Sequence, residues 1–314
     1  MPARAIVVTG SLNMDFVVQV ERLPAPGETA KGWNFQTVPG GKGANQACAA
    51  ARLSRDHSVV MIGRVGFDAF ADHLRASLAA SGADTSRIHG CRSAPTGVAL
   101  IWVDRAGQNS IVIAPGANGA LSAADMETER SAFVSAACAL FQLETPLEAV
   151  AAGLRLARDH GVLSVLDPAP AQPLQSGLLA LVGLLTPNET EACLLAGRPP
   201  ARVSLQDAPA LAEELLARGP RAVVLKLGDQ GCYYSGPEGR FHAPGFPVQA
   251  VDATAAGDTF NGALAVALAE GRPIPEALRF ANAAAALSVT RLGAQASIPS
   301  REETDRFLSA QPAS

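Results

Sequence analysis

No uninterrupted apolar run in the 314 residues approaches the roughly 20 that a membrane-crossing helix needs, so no span is expected. Basic residues form no run and the formal net charge is -4, which gives neither nucleic acid nor an anionic membrane an electrostatic footing as a partner. The five cysteines, Cys48, Cys91, Cys138, Cys193 and Cys232, are odd in number and far apart, which argues against a disulfide framework and against a zinc cluster. The chain reaches AIVVTG at once, with neither a basic region nor a long apolar core before a cleavage site, so no secretory leader is expected and a cytoplasmic setting fits. In that setting the glycosylation triplet Asn188-Glu189-Thr190 is a chance match. Internal repeats and linkers rich in Gly or Ser are missing too, while 48% hydrophobic against 17% charged residues suffices for one large core.

What is present is alternation. Short β-branched runs (AIVVTG, SVVMIGRVG, CALFQLE, VLSVLDPAP, LVGLLTPNE, PRAVVLKLG) exchange with helical stretches such as ANQACAAARL, AFADHLRASLAASG, Pro146 to His160, 174 to 182, NETEACLLAG and Ala208 to Arg218. That rhythm predicts βα units feeding a doubly wound, mostly parallel α/β sheet flanked by helices. Two segments break it, about 14–40 and 96–114, with strand-like alternation and Pro-Gly or Ala-Gly turns. They read as inserted hairpins forming a small β sheet. It serves either as edge decoration or as a lid over a site at the carboxyl ends of the strands, and TGVALIWV leaves a dimer contact open. The chain is expected to be one domain, 1–314, with that lid.

Four stretches carry chemistry. In GSLNMD, Asn13 and Asp15 leave an extended segment on one face, suited to adjacent hydroxyls of a polyol; turn formation is the plainer alternative. PGGKGANQ is not a Walker loop, because the GxxxxGK[ST] spacing is missing; Gly40, Gly41 and Gly43 instead permit close backbone approach to a ligand, with Lys42 among them and Asn45 in the first turn beyond. NETE opens a helix with two acids, which capping explains and which magnesium held through waters near phosphates also explains. Lys226, Gly228 and Gly231 lie in LKLGDQG, a strand and turn that reads equally as a hairpin or as a wall for a nucleotide.

VDATAAGDTFNGAL is the most informative stretch. Ala255, Ala256 and Gly257 leave backbone N–H groups accessible at a helix start, an anion site, and Asp258 follows either as an ordinary cap or as a general base. A cap does not need three small residues before it, whereas a transferring phosphoryl group does.

Taken in order, GSLNMD, LPAPGET, PGGKGANQ, TGVAL, APGAN, QLETP, DPAPA, TPNETEA, VVLKLGDQG, VDATAAGDTFNGAL and RFANAAAALSVTRLGAQASIPS resemble the ribokinase family of carbohydrate kinases over essentially the whole chain. The resemblance implies a central sheet of about nine strands, a lid, and homodimers joined through lids. It implies ATP-dependent phosphorylation of D-ribose at the 5-hydroxyl, with Asp258 as base and Ala255, Ala256 and Gly257 as anion hole. Asn13, Asp15, Gly41, Lys42, Gly43, Asn45 and Glu144 would contact the pentose. Lys226, Gly228, Gly231 and Asn282, with Asn188 and Gly257, would meet the nucleotide. Asn188 and Glu191 match the motif associated with Mg²⁺, and K⁺ would sit near Asp252, Thr254, Ser288, Arg291, Gly293 and Ser297. The family turn often carries glycine where this chain has Ala255, which restricts φ there. Deoxyribokinase is the nearest alternative, with adenosine, fructose and keto-deoxy-gluconate kinases behind it and a non-catalytic sugar-binding protein as a different class. A nucleotide-binding oxidoreductase lacks its G-x-G-x-x-G turn after the first strand.

Overall fold

The structure is a computed structural model and describes residues 4–312. Its strands begin with β1 (Ala5–Thr9), β2 (Asn13–Val20), β3 (Gly32–Gly40), β4 (Val59–Val65), β5 (Ile88–Gly90), β6 (Gly97–Val103) and β7 (Asn109–Ala114). They continue with β8 (Ala136–Phe141), β9 (Leu163–Leu166), β10 (Leu184–Leu185), β11 (Ala222–Lys226), β12 (Cys232–Gly236) and β13 (Gly239–Ala243). Nine of them form one sheet in the order β13-β12-β11-β10-β9-β8-β1-β4-β5, parallel throughout except at the β11–β12 and β12–β13 pairs. The doubly wound α/β class expected from the alternation is what forms.

Both faces of this sheet are covered, which is why its central strands are near-continuous apolar runs, interrupted only at positions such as Thr9, Arg64 and Ser164. Ile6 and Val8 point into one layer, with Ala47, Leu264 and Ala281 of the helices Lys42–Leu53, Ala256–Ala269 and Ile274–Ser288. Val7 points into the other, with Leu154 and Leu211 of the helices Leu147–Asp159 and Ala208–Leu216. In the first layer, a Cβ on Gly262 would lie 2.6 Å from Ala49 Cβ and 2.9 Å from Ala50 N. Glycine there lets the helix Ala256–Ala269 seat directly on the helix Lys42–Leu53, and that contact brings the two chemistry-bearing helix starts together.

The remaining strands form a separate four-stranded sheet, β3-β2-β6-β7. β2–β3 and β6–β7 are antiparallel hairpins, and the parallel β2–β6 pair joins them, Asn13 opposite Gly97. Asn13 and Asp15 therefore begin a strand of the small sheet rather than end one in the large sheet. One helical and one strand expectation shrink: 174 to 182 supplies only the helix Ser176–Leu179, and LVGLL supplies only the two-residue β10. No helix among the described residues is long and apolar enough to cross a membrane.

Candidate active site

Asp258 is not a helix cap. Ala255 occupies the cap position in the left-handed region, φ 59°, with no side-chain cap bond, and Asp258 is the third residue of the helix. Its carboxylate turns across to the helix Lys42–Leu53, where Asn45 Nδ2 donates to Oδ2 and Gln46 Nε2 donates to Oδ1, each at 3.0 Å. Burial pushes the Asp258 carboxyl up to about 6; Lys42 opposes that, the Asp167 charge adds to it, and the Asn45 and Gln46 bonds restrain it. A carboxylate with a raised pKa that is still mostly ionised at neutrality, beside the free N–H groups of a helix start, is suited to take a proton next to an anion.

A second carboxylate shares this anchor. Asp167, immediately after β9, accepts from Gln46 Nε2 at 3.0 Å and from Lys226 Nζ at 2.9 Å. Lys226 stands close to the anion turn, since a Cβ on Gly257 would lie 3.4 Å from its Nζ. Burial draws the Lys42 ammonium down, but Asp258, Asp167, Glu144 and Glu191 together outweigh it and hold the group protonated. Lys42 is thus held charged among carboxylates, and Lys226 lies beside the turn, paired with Asp167.

The residues expected for sugar lie deeper. Asn13 and Asp15 are buried on the same face of β2. Burial first, then the charges of Glu144 and Asp258, pushes the Asp15 carboxyl up to about 7. Asn13 Oδ1 accepts from Asn118 Nδ2 at 2.8 Å, and Glu144 Oε2 accepts from Ser11 Oγ at 2.5 Å and from the Lys42 amide at 3.1 Å. The glycine loop departs from expectation in its cause. Cβ atoms on Gly41 and Gly43 would lie 2.7 Å from Asn13 N and 2.6 Å from Gly10 C, so these glycines admit the protein's own 10–13 segment, and the Gly43 amide itself donates to Ser11 Oγ at 3.4 Å. The Asn45 amide is likewise engaged, to Asp258 and, through Oδ1, with Gln295 Nε2 at 3.3 Å.

Above this lies a cleft of about 1030 Å³. The turn 255–258, Lys42, Lys226, Asn188 and Glu191 line it, as do Gly228, Gly231 and Asn282. Asn188 and Glu191 form a capping box: Asn188 Oδ1 accepts from the Glu191 amide, and Glu191 Oε2 accepts from the Asn188 amide, both at 2.8 Å. Burial raises Glu191 and the nearby Lys226 opposes that, with the carboxyl held above its ordinary value. Asn282 directs its Nδ2 to the carbonyls of Ala243 and Pro244, each at 3.1 Å, tying down the loop after β13. Ala285 and Ala286 present a flat wall beside it, so the alanine-rich helix serves both core packing and the cleft. A separate hollow of about 550 Å³, around Gly66, Asp68 and Arg75, contains none of these groups.

The 252–254 and 288–297 segments meet at one end of the cleft. Asp252 accepts from the amides of Thr254 at 2.9 Å and Gly293 at 2.8 Å and from the Thr254 hydroxyl at 2.6 Å. Burial works against the Asp252 charge, yet these bonds hold its carboxyl below the usual range. Ser288 and Ser297 donate to Ala285 and Ala294 carbonyls at 2.8 and 2.9 Å, and Arg291 pairs with Glu303 at 2.6 Å. No cluster of three or more His, Cys, Asp or Glu suited to a metal occurs among the described residues.

Four polar residues of this network escaped the sequence reading: Gln46, Gln142, Asp167 and Asn118. A signal existed for two. Lys42, Asn45 and Gln46 are three and four apart, hence one helix face. Asp167 follows a parallel strand directly, where α/β sheets place ligands.

A buried carboxylate at an amide-rich helix start, flanked by two lysines and opening from a polar pocket into a large cleft, is a site for transferring an anionic group to a hydroxyl. The chain belongs to the pfkB family of carbohydrate kinases, whose family model matches residues 3–301. It is 44% identical to a ribokinase of Haemophilus influenzae over 305 residues, covering 97% of this chain and 98% of that protein. A deoxyribokinase of Salmonella typhi is 35% identical over 306 residues, covering 97% and 98%. A solved Arabidopsis thaliana ribokinase, complexed with ribose and ATP, superposes with a TM-score of 0.91 at 34% identity, covering 98% of this chain and all of that one.

Proposed function

We propose that this carbohydrate kinase transfers the γ-phosphoryl group of ATP to the 5-hydroxyl of D-ribose. The observation that carries the reading is the position of Asp258, held by Asn45 and Gln46 between the buried pocket of Asn13 and Asp15 and the cleft lined by Lys226 and the 255–258 turn. Asp258 takes the proton of the 5-hydroxyl as its oxygen bonds to the γ-phosphorus, the bond to the bridging oxygen breaks, and ADP leaves. N–H groups of the turn face the charge on the transferring oxygens, with Lys42 and Lys226 close by. Asn13, Asp15, Glu144 and the amide of Gly41 would grip the ring hydroxyls. Gly228, Gly231 and Asn282 would flank the nucleotide.

The chemistry of the donors fits a divalent cation. Asp15, Asp258 and Glu191 are all held above their ordinary values, by burial first and then by neighbouring carboxylates that the nearby lysines only partly offset. Mg²⁺ held through water by Asn188 and Glu191 would offset carboxylate charge and neutralise phosphate charge. Asp252, bound by Thr254 and the Gly293 amide, with Ser288, Arg291 and Ser297 on the adjoining 288–297 segment, would supply oxygens for a monovalent ion such as K⁺. The same reading treats the chain as one α/β unit with a lid formed by 14–40 and 96–114. Homodimers through that lid are supported by exposed Phe35, Leu100, Ile111 and Val112. Five free, buried cysteines are compatible with a reducing cytoplasm.

The test is kcat/KM for ribose, 2-deoxyribose, fructose and adenosine, with phosphorus NMR assigning the product. Ribose is expected to lead 2-deoxyribose by about tenfold or more, the worth of one well-aligned charged hydrogen bond. A 2-deoxyribose value at or above that of ribose overturns the substrate, and no transfer to any sugar overturns the reaction.

A further inference from the structure

Gln46 is fully buried, and its single amide nitrogen donates to two carboxylates, Asp258 Oδ1 and Asp167 Oδ2, each at 3.0 Å. A primary amide nitrogen carries two hydrogens, so both are committed. The amide cannot turn over, because its oxygen would then face two carboxylates. That oxygen instead accepts from Gln142 Nε2 at 2.7 Å. Gln142 is fully buried as well, directly after β8, and it is wedged in place: a Cβ on Gly10 would lie 1.9 Å from its Oε1, which has no partner of its own. The polarity of the chain of amides is set from the carboxylate end and runs one way, from Gln142 to Gln46 to the pair of acids.

We propose that Gln46, keyed by Gln142, is a positioning residue that aims the Asp258 base and couples it to the Asp167–Lys226 ion pair. The proposal rests on the phosphotransfer reading above. With Asn45 on Oδ2 and Gln46 on Oδ1, the Asp258 carboxylate is fixed about its own axis, and one lone pair on each oxygen remains open to a sugar hydroxyl. Catalytic groups need to be held within about 0.5 Å and 10–20° of productive geometry, and a second set of side chains normally supplies that restraint. Lys226 closes the far end of the relay at 2.9 Å from Asp167. A shift of the phosphate-side lysine is thereby felt at the base through three hydrogen bonds, by way of the Asp167 carboxylate and the Gln46 amide. The other charged groups around Asp258 are Lys42 beside the glycine loop, Asp167 after β9 and Asp15 from β2; changing Gln46 leaves Lys42 and Asp15 as they are and takes one donor from Asp167, which adds to the rise at Asp258.

The test uses the full-length chain with Gln46→Met and, separately, Gln142→Leu. Three quantities are read: kcat for ribose, the dissociation constant of ATP, and the titration midpoint of the Asp258 carboxyl by carbon NMR, assigned with Asp258→Asn. Gln46→Met should lower kcat about 10- to 100-fold, in the range of a disturbed general base. It should raise the Asp258 midpoint, since a donor to the ionised form is lost, and leave ATP affinity within about twofold. Gln142→Leu should move kcat and midpoint in the same directions by less. A folded Gln46→Met protein with wild-type kcat and midpoint overturns the proposal. If Gln46→Met does not fold, Gln142→Leu decides, and an unchanged kcat and midpoint there overturns it. The carboxyl titration needs no turnover, so a wild-type chain that fails to phosphorylate sugar sinks the activity reading while this test still stands.

Discussion

Asn45 and Asp258 are 213 residues apart in sequence and joined by a 3.0 Å hydrogen bond, Nδ2 to Oδ2, at the meeting of two helix starts. Asp258→Asn replaces an acceptor of two amide donors by a group that must turn one of its own N–H bonds toward them. Phosphoryl transfer should fall about 10² to 10⁴-fold, the usual worth of a general base. ATP affinity should hold, because the turn amides and Lys226 are untouched. Steady-state turnover combined with ATP titration checks both halves; near-wild-type turnover removes Asp258 from the role.

The raised Asp258 carboxyl sets the acid limb of the rate profile. Below about pH 6 the base is protonated in the free protein, so kcat/KM should fall as pH drops through that value. A profile flat from pH 8 to pH 5 contradicts this assignment.

The buried Asp15 carboxyl ties folding stability to pH. Its folded value, about 7, lies above its unfolded value near 3.8, so folding favours the protonated form. The stabilisation is complete below pH 3.8 and is lost as pH rises through 7. Asp15→Asn in ligand-free protein should therefore raise Tm by several degrees at pH 8 and by little at pH 4.5. Equal Tm differences at the two pH values refute it.

Ala255 holds φ 59°, where an L-residue pays about 1–2 kcal/mol against its Cβ. Ala255→Gly removes that strain but loosens the unfolded chain by about 0.4–1 kcal/mol, so a net stabilisation of about 0 to 1.6 kcal/mol is expected. Urea unfolding measures it, and destabilisation by the glycine argues against strain at this turn.

Potassium should support turnover several-fold better than sodium at matched chloride, through an ion beside Asp252 that orders the anion turn. Screening depends on ionic strength and cannot distinguish the two salts. Equal rates remove the cation from the proposal.

The alternation of apolar runs made the main sheet legible because parallel strands buried on both faces, such as Ile6 to Val8, leave an unmistakable pattern. The two inserted hairpins were legible for the opposite reason, strand alternation without a following helix. β10 and the helix Ser176–Leu179 were overdrawn, since short apolar stretches do not reveal where pairing stops. In the site, Asp258, the 255–257 turn and the paired Asn13 and Asp15 were readable from local pattern. Gln46, Gln142 and Asp167 were harder, because their meaning comes from contacts 96 to 212 positions away along the chain, which no local spacing displays. The glycines of the GGKG loop were read for the right freedom and the wrong neighbour: the body pressed against Gly43 is the backbone of Gly10.

Asn13 and Asp15 belong to β2, a strand shared with the exposed sheet and not with the rigid nine-stranded one. A sugar gripped by them is gripped by the small sheet itself, so sugar occupancy and the placement of that sheet are one thermodynamic variable. Linkage makes the relation reciprocal: whatever fixes the outer face of β3 or β7 alters sugar affinity by the same factor by which sugar alters that outside contact. If a second copy of the chain is what rests there, the dissociation constant for sugar becomes a function of protein concentration, and dilution alone changes it without touching a residue of the pocket.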